Sequence, residues 1–214
     1  MKKLLVVLAV IALLPVPSAK AASILVTGSD ANWVSFTFGG TAYRDVGGGS
    51  IDVSTLDGAE LPWLYCVDLT HLLSLGTSYP NTLVRDDGFV NGAQVNHAAQ
   101  VAWLLDTYAS QAAGSPTKEA ALQALIWTAI YGSSFTFSSS NGSYQQYIEW
   151  TPAEFGSGDV SKYLWLTPDS ACSPTAASHC YQGLVTYQPV PDAGATALLF
   201  GAALAGLAAF RRQR

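Results

Sequence analysis

Hydrophobic and polar residues alternate at period two in two early stretches of the chain. Val34-Ser35-Phe36-Thr37-Phe38 is the first and Ile51-Asp52-Val53-Ser54-Thr55 the second. Such alternation turns one face of an extended strand to a core and the other to water, so both stretches predict strands. Gly39-Gly40 and Gly47-Gly48-Gly49 punctuate them as turns. Trp63-Leu64-Tyr65-Cys66-Val67 predicts a buried strand. Ser78–Asn91 reads as a loop, with turns at Tyr79-Pro80-Asn81 and Asp86-Asp87-Gly88. The period then changes. Val95–Tyr108 places Ala98, Val101, Leu104 and Leu105 on one helical stripe. A second helix is expected with Thr117 as its cap and Lys118-Glu119 in its first turn. Its apolar positions are Ala121, Leu122, Leu125, Ile126 and Ile130, and Gly132 ends it. Gly114-Ser115-Pro116 joins the helices, which predicts antiparallel neighbours. Strands return at Ser134–Phe137 and Tyr181–Tyr187. The expected fold is α+β: a mainly antiparallel β-sandwich or barrel with an inserted pair of helices, in two layers.

Both ends of the chain follow a different logic. Lys2 and Lys3 precede an apolar run from Leu4 to Leu14, and Ala19-Lys20-Ala21 offers small residues for a signal peptidase. This is the pattern of a secretory signal peptide over residues 1–21, with cleavage after Ala21. The run is about half the ~20 residues that span hydrocarbon, and Pro15 and Pro17 stop it. At the other end, Val190-Pro191-Asp192-Ala193-Gly194 forms a short turn before Ala195–Phe210, which is apolar or small except for Thr196. Arg211, Arg212 and Arg214 follow. As a helix, 195–210 covers about 24 Å, enough to hold a chain in a membrane with the arginines on the cytoplasmic side. The order of turn, small apolar helix and arginine cluster over residues 189–214 resembles the PEP-CTERM class of sorting signals in its VPDSG variant. That resemblance implies an exosortase-type processing enzyme as a partner, transient anchoring, and a place at the cell surface or in extracellular polysaccharide. A permanent single-span anchor is the alternative.

Setting the two ends aside changes the charge. Only Arg44, Arg85, Lys118 and Lys162 remain against fourteen acidic residues, so residues 22–188 carry a net charge of about −10. Such a domain repels nucleic acid and anionic membrane surfaces. Six Trp, ten Tyr and eight Phe supply apolar area for one core. Export favours disulfides. Cys172 and Cys180 flank a short loop and are the expected pair. A metal held by Cys172, His179 and Cys180 is the alternative, crowded by the adjacency of its last two ligands. Neither a resident metal nor a cofactor is expected. Cys66 is left over, and an odd cysteine in an exported chain needs an account.

Cys66 stands in Tyr65-Cys66-Val67-Asp68. The second helix carries Leu122-Gln123-Ala124-Leu125-Ile126-Trp127, and Tyr181-Gln182-Gly183-Leu184-Val185 comes late. In this order the three motifs resemble the thioester domains of bacterial surface adhesins. The resemblance implies a thioester between Cys66 and Gln182, supported by Tyr65, Asp68, Gln123 and Trp127. The chain departs from the family at Leu122, where the family has Thr, and at Gly183, where it has a polar residue. The chemistry is demanding, because a Gln carboxamide is a poor electrophile, so thiol and amide must be held together and dry. Tyr65, Trp63 and Trp127 are candidates to exclude water. Once formed, the thioester is an acyl donor for an amine or hydroxyl on a cell, matrix or polysaccharide surface. The reaction is single-use, so the chain is not expected to be an enzyme.

Other readings of the same residues stay open. Cys66 is also what a buried structural thiol looks like. Gln188 and Gln123 are rival partners, and Trp127 and Trp103 read equally as core packing. Asp68 reads more simply as a turn-forming residue. The protein is then a non-reactive component of extracellular polymer. A third class is a cysteine hydrolase using Cys66 with His71, His97 or His179.

Overall fold

A computed structural model describes residues 21–28, 32–51, 53–138, 155–169 and 180–187. The strands in chain order are β1 (Ala22–Val26), β2 (Asn32–Phe38), β3 (Thr41–Gly48), β4 (Ser54–Leu56), β5 (Ala59–Glu60), β6 (Tyr65–Cys66), β7 (Thr77–Arg85), β8 (Phe89–Val90), β9 (Ala93–Gln94), β10 (Phe135–Phe137), β11 (Tyr163–Pro168) and β12 (Leu184–Tyr187). One sheet runs β5-β4-β1-β7-β11-β12-β6, a second runs β10-β2-β3, and β8 and β9 form a hairpin. The pairings are antiparallel. Two helices, Ala98–Ala112 and Pro116–Tyr131, lie between β9 and β10 in the chain. The architecture is the expected α+β one, mostly antiparallel sheet with an inserted helix pair.

The second helix is the centre of the packing. Every residue from Glu119 to Trp127 is buried, as are Ala129 and Ile130. On one side Leu122, Leu125 and Ile126 join Val101, Leu104 and Leu105 of the first helix and Tyr65, Tyr163, Trp165 and Val185 of the large sheet. On the other side Ala120 and Trp127 join Ile24, Val34, Phe36, Cys66, Phe135, Tyr181 and Leu184. A helix enclosed on both sides has no polar stripe to display, which is why its sequence is apolar almost all round.

Several elements differ from their expected bounds. Ser78–Asn91 is not a loop, because β7 is a central strand between β1 and β11. Its turn-forming residues are absorbed by a bulge. Ala22 pairs with Thr82 and Ile24 with Tyr79, which leaves one extra residue in β7, and Asn81 takes φ 62°. The turn at 86–88 is present. β11, which sequence patterning did not signal, fills the place beside β7. The Ile51–Thr55 strand is shifted to Ser54–Leu56, with Val53 at φ 57° breaking the extended run before it. The Trp63–Val67 strand shortens to Tyr65–Cys66, and the last two expected strands shorten to Phe135–Phe137 and Leu184–Tyr187. The first helix starts at Ala98 because His97 is left-handed, at φ 56°. The second helix is capped by Ser115 and not Thr117, with Pro116 at its first position, where a missing N–H costs nothing. Glu119 accepts a hydrogen bond from the Gly114 N–H at 2.9 Å, closing the connection between helices.

Residues 1–20 of the expected signal peptide at 1–21, the tail at 189–214, Gln188, and Cys172 and His179 with the residues between them lie outside the described residues. The expected disulfide partner of Cys180, the metal alternative and the apolar tail 195–210 therefore have no structural account. Among the described residues, no helix is long and apolar enough to cross a membrane.

Candidate functional site

Cys66 lies on β6, the edge of the large sheet. On its inner side it faces Leu184 of β12, and Val67 N–H donates to Gly183 O at 2.8 Å. The outer side would leave a strand edge unpaired. Gln123 closes it: Cys66 N–H donates to Gln123 Oε1 at 2.8 Å, and Gln123 Nε2 donates to Cys66 O at 2.7 Å. The side-chain amide thus stands in for the peptide group of a missing strand. It is spent on this task, which is how a glutamine tolerates a position only 1% exposed. Burial, then the charge of Asp68, pushes the Cys66 thiol well above its ordinary range.

Gln182 precedes β12 and is pinned from both sides. The Tyr181 hydroxyl donates to Thr82 Oγ1 at 2.8 Å, and its ring packs tilted against Tyr79 with centroids 4.5 Å apart. Gly183 lies where an added Cβ would be 3.0 Å from the Val90 side chain. The glycine that departs from the family pattern lets the β8–β9 hairpin approach this segment. Gln182 Nε2 itself donates to Asp68 O. Leu184 pairs with Cys66 and Gly183 with Val67, so Gln182 falls diagonally from Cys66 on the same face. Diagonal neighbours of this kind are about 7–8 Å apart, within reach of a long side chain.

The segment after β6 carries a polar cluster. Asp68 is 6% exposed and its carboxylate accepts from four donors. Thr70 N–H and Oγ1 reach Oδ1 at 2.7 and 2.6 Å. His71 Nδ1 and Asn91 Nδ2 reach Oδ2, each at 2.5 Å. Asp68 therefore forms the turn its position suggested and also fixes an imidazole. Leu69 N–H donates to the Tyr131 hydroxyl at 2.9 Å, tying this segment to the end of the second helix. Burial raises the Tyr131 hydroxyl to about 12, so at neutral pH it stays a protonated, neutral group.

These parts enclose a cavity of about 340 Å³. Cys66, Gln182, Gln123, Trp127 and His71 all line it, with Phe36, Tyr43, Ile51, Gly47–Gly49 and leucines of the 69–75 segment. Trp127 packs on Phe36 and Phe135 at 5.3 and 5.7 Å between centroids, and its indole N–H has no hydrogen-bond partner among the described residues. Tyr65 and Trp63 are not at the cavity. They pack on the opposite side of β6, against Tyr163, because successive strand residues point to opposite faces. His97 is exposed and does not line the cavity. Asn91 belongs to the site without any sequence signal; only a left-handed Asn at φ 48° in a tight hairpin hinted at it. Among the described residues no His, Cys, Asp and Glu cluster could hold a metal ion.

Residues 189–214 match the model of the VPDSG-CTERM motif. The chain matches no curated protein and no solved structure. The motif implies an exported, surface-directed protein and processing by an exosortase-type enzyme.

Proposed function

We propose that Cys66 and Gln182 form an intramolecular thioester, and that the exported domain uses it to attach covalently to a surface nucleophile. The observation that carries this reading is the shared cavity: the odd cysteine and a diagonal glutamine line one largely apolar space at a sheet edge. In the first step the Cys66 sulfur bonds to Cδ of Gln182 and the amide nitrogen leaves as ammonia, taking the thiol proton. In the second, an amine or hydroxyl of the target bonds to Cδ, the C–S bond breaks, and Cys66 regains a proton as a thiol. The target ends as an amide or ester of residue 182. Trp127, Phe36 and Ile51 keep water from the bond, a role first assigned in part to Tyr65 and Trp63. Gln123 is the weaker partner for Cys66, because both ends of its amide are engaged by the Cys66 backbone.

The burial of the thiol weighs against a hydrolase. Catalytic cysteines work as thiolates with lowered pKa values, whereas burial raises this one. The protein is a single-turnover acyl donor in this reading.

Peptide mapping of the secreted domain by mass spectrometry, without reductant or amines, tests it. The expected result is a Cys66–Gln182 cross-linked pair lacking one ammonia and opened by methylamine. An alkylatable Cys66 alongside an intact Gln182 amide sinks the reading and leaves a non-reactive component of extracellular polymer.

A further inference from the structure

We infer that His71, oriented by Asp68, is the proton relay of this site, serving both closure and opening of the Cys66–Gln182 bond; the inference rests on the thioester reading. Asp68 Oδ1 already closes the local turn through Thr70, so the turn does not need His71. The second carboxylate oxygen instead accepts from His71 Nδ1 at 2.5 Å and is steadied by Asn91 Nδ2. With its proton on Nδ1, a neutral imidazole carries its lone pair on Nε2. The ring lines the cavity that Cys66 and Gln182 also line, and its side chain keeps 34% of its exposure. A partly exposed ring ordered this firmly on the wall of the cavity that the thiol and the amide also line is placed for proton traffic, directly or through one water.

The reaction needs such a group in both directions. On closure, Nε2 takes the Cys66 proton as sulfur bonds to Cδ, then gives it to the departing ammonia. On opening, Nε2 takes a proton from the attacking amine or hydroxyl, which bonds to Cδ. The C–S bond breaks and the imidazolium returns that proton to sulfur. A thiolate is a poor leaving species in a buried site, so the returned proton matters more here than in water. Closure is the reverse of opening by ammonia, so one relay serves both steps.

The test uses the whole secreted domain and its His71→Ala and His71→Gln variants, each checked for a wild-type urea midpoint. Intact mass reports the missing ammonia, and the rate of methylamine opening reports the relay. Loss of a general base costs about 100-fold or more in rate. Expected are variants that close or open slower by that order, with free imidazole restoring His71→Ala far more than it accelerates the wild type. Variants that close and open at wild-type rates overturn the relay while leaving the thioester standing. Slow variants that imidazole does not restore also overturn it, since His71 then acts by packing alone. A wild-type domain with no missing ammonia overturns the thioester reading and the relay together.

Discussion

The two sides of the second helix meet very different surroundings. Toward the first helix it presents Leu122, Leu125 and Ile126 to an apolar cluster closed by Trp165 and Tyr163. On its other side it presents Gln123 and Trp127 to residues of both sheets, Cys66 among them, around a cavity. The first side fills its space with hydrocarbon and supplies stability. The second leaves space, buries a carboxamide, and keeps an indole N–H without a hydrogen-bond partner among the described residues. Each of those features costs free energy relative to dense apolar packing. Leu122 fits this division as a fully buried leucine on the stability side.

Substitutions on either side can break the contrast. The largest effect is expected at Trp165, which is 0% exposed in the apolar cluster. Trp165→Ala should cost about 3–5 kcal/mol in urea unfolding through the cavity it leaves, while the folded fraction keeps its ammonia deficit. Loss of the deficit in folded protein would show that the two sides are not separable. Gln123→Leu comes next. It strips the Cys66 N–H and C=O of their partners and should cost about 2–4 kcal/mol, and it should also abolish the ammonia deficit. A stable Gln123→Leu domain with the bond intact would show that the edge of β6 needs no closure. Gly183→Ala forces a methyl group against Val90 and should cost about 1–3 kcal/mol, slowing methylamine opening by shifting Gln182. Leu72→Ser should change stability by less than about 0.5 kcal/mol, since Leu72 is 88% exposed. A larger loss would mean that the cavity rim carries structural weight.

The thiol provides a pH test of the same contrast. In Gln182→Ala, Cys66 has no acyl partner. Its folded pKa is raised, first by burial and then by Asp68. The protonated form is therefore favoured on folding, and the associated stability is present below the unfolded thiol value of about 8.5 and lost as pH rises beyond it. Iodoacetamide labelling should be slow at neutral pH and speed up on adding urea. Fast labelling of the folded variant would show that the thiol is not held in an apolar space.

Much of the site was legible from residue order, less of it from periodicity. The odd cysteine in an exported chain drew attention to Cys66, and three ordered motifs drew it to Gln182 and Gln123. Periodicity found the first helix, whereas the second, apolar almost all round, was marked by its charged first turn and the glycine at its end. It missed β11 because a strand buried along nearly its whole length does not alternate, and it misread β7 because Pro80 and Asn81 mark a bulge with the same residues that mark a turn. The role of Gln123 could not be read at all. A glutamine that replaces a strand looks, in sequence, like any helix-forming residue.

What the sequence determined by itself is therefore local or covalent: the sorting signal, the acidic balance, the helix pair, and an odd number of cysteines among few amines. These follow from composition, spacing and short-range periodicity. Only the tertiary structure decided which side of β6 each aromatic occupies, that the Gln123 amide closes a sheet edge, and that Asp68, His71 and Asn91 meet beside the cavity. Asn91 lies 23 positions from Asp68 and Gln182 lies 114 positions away. Contacts at such separations depend on strand register and on how the helix seats between two clusters, and no local pattern encodes either.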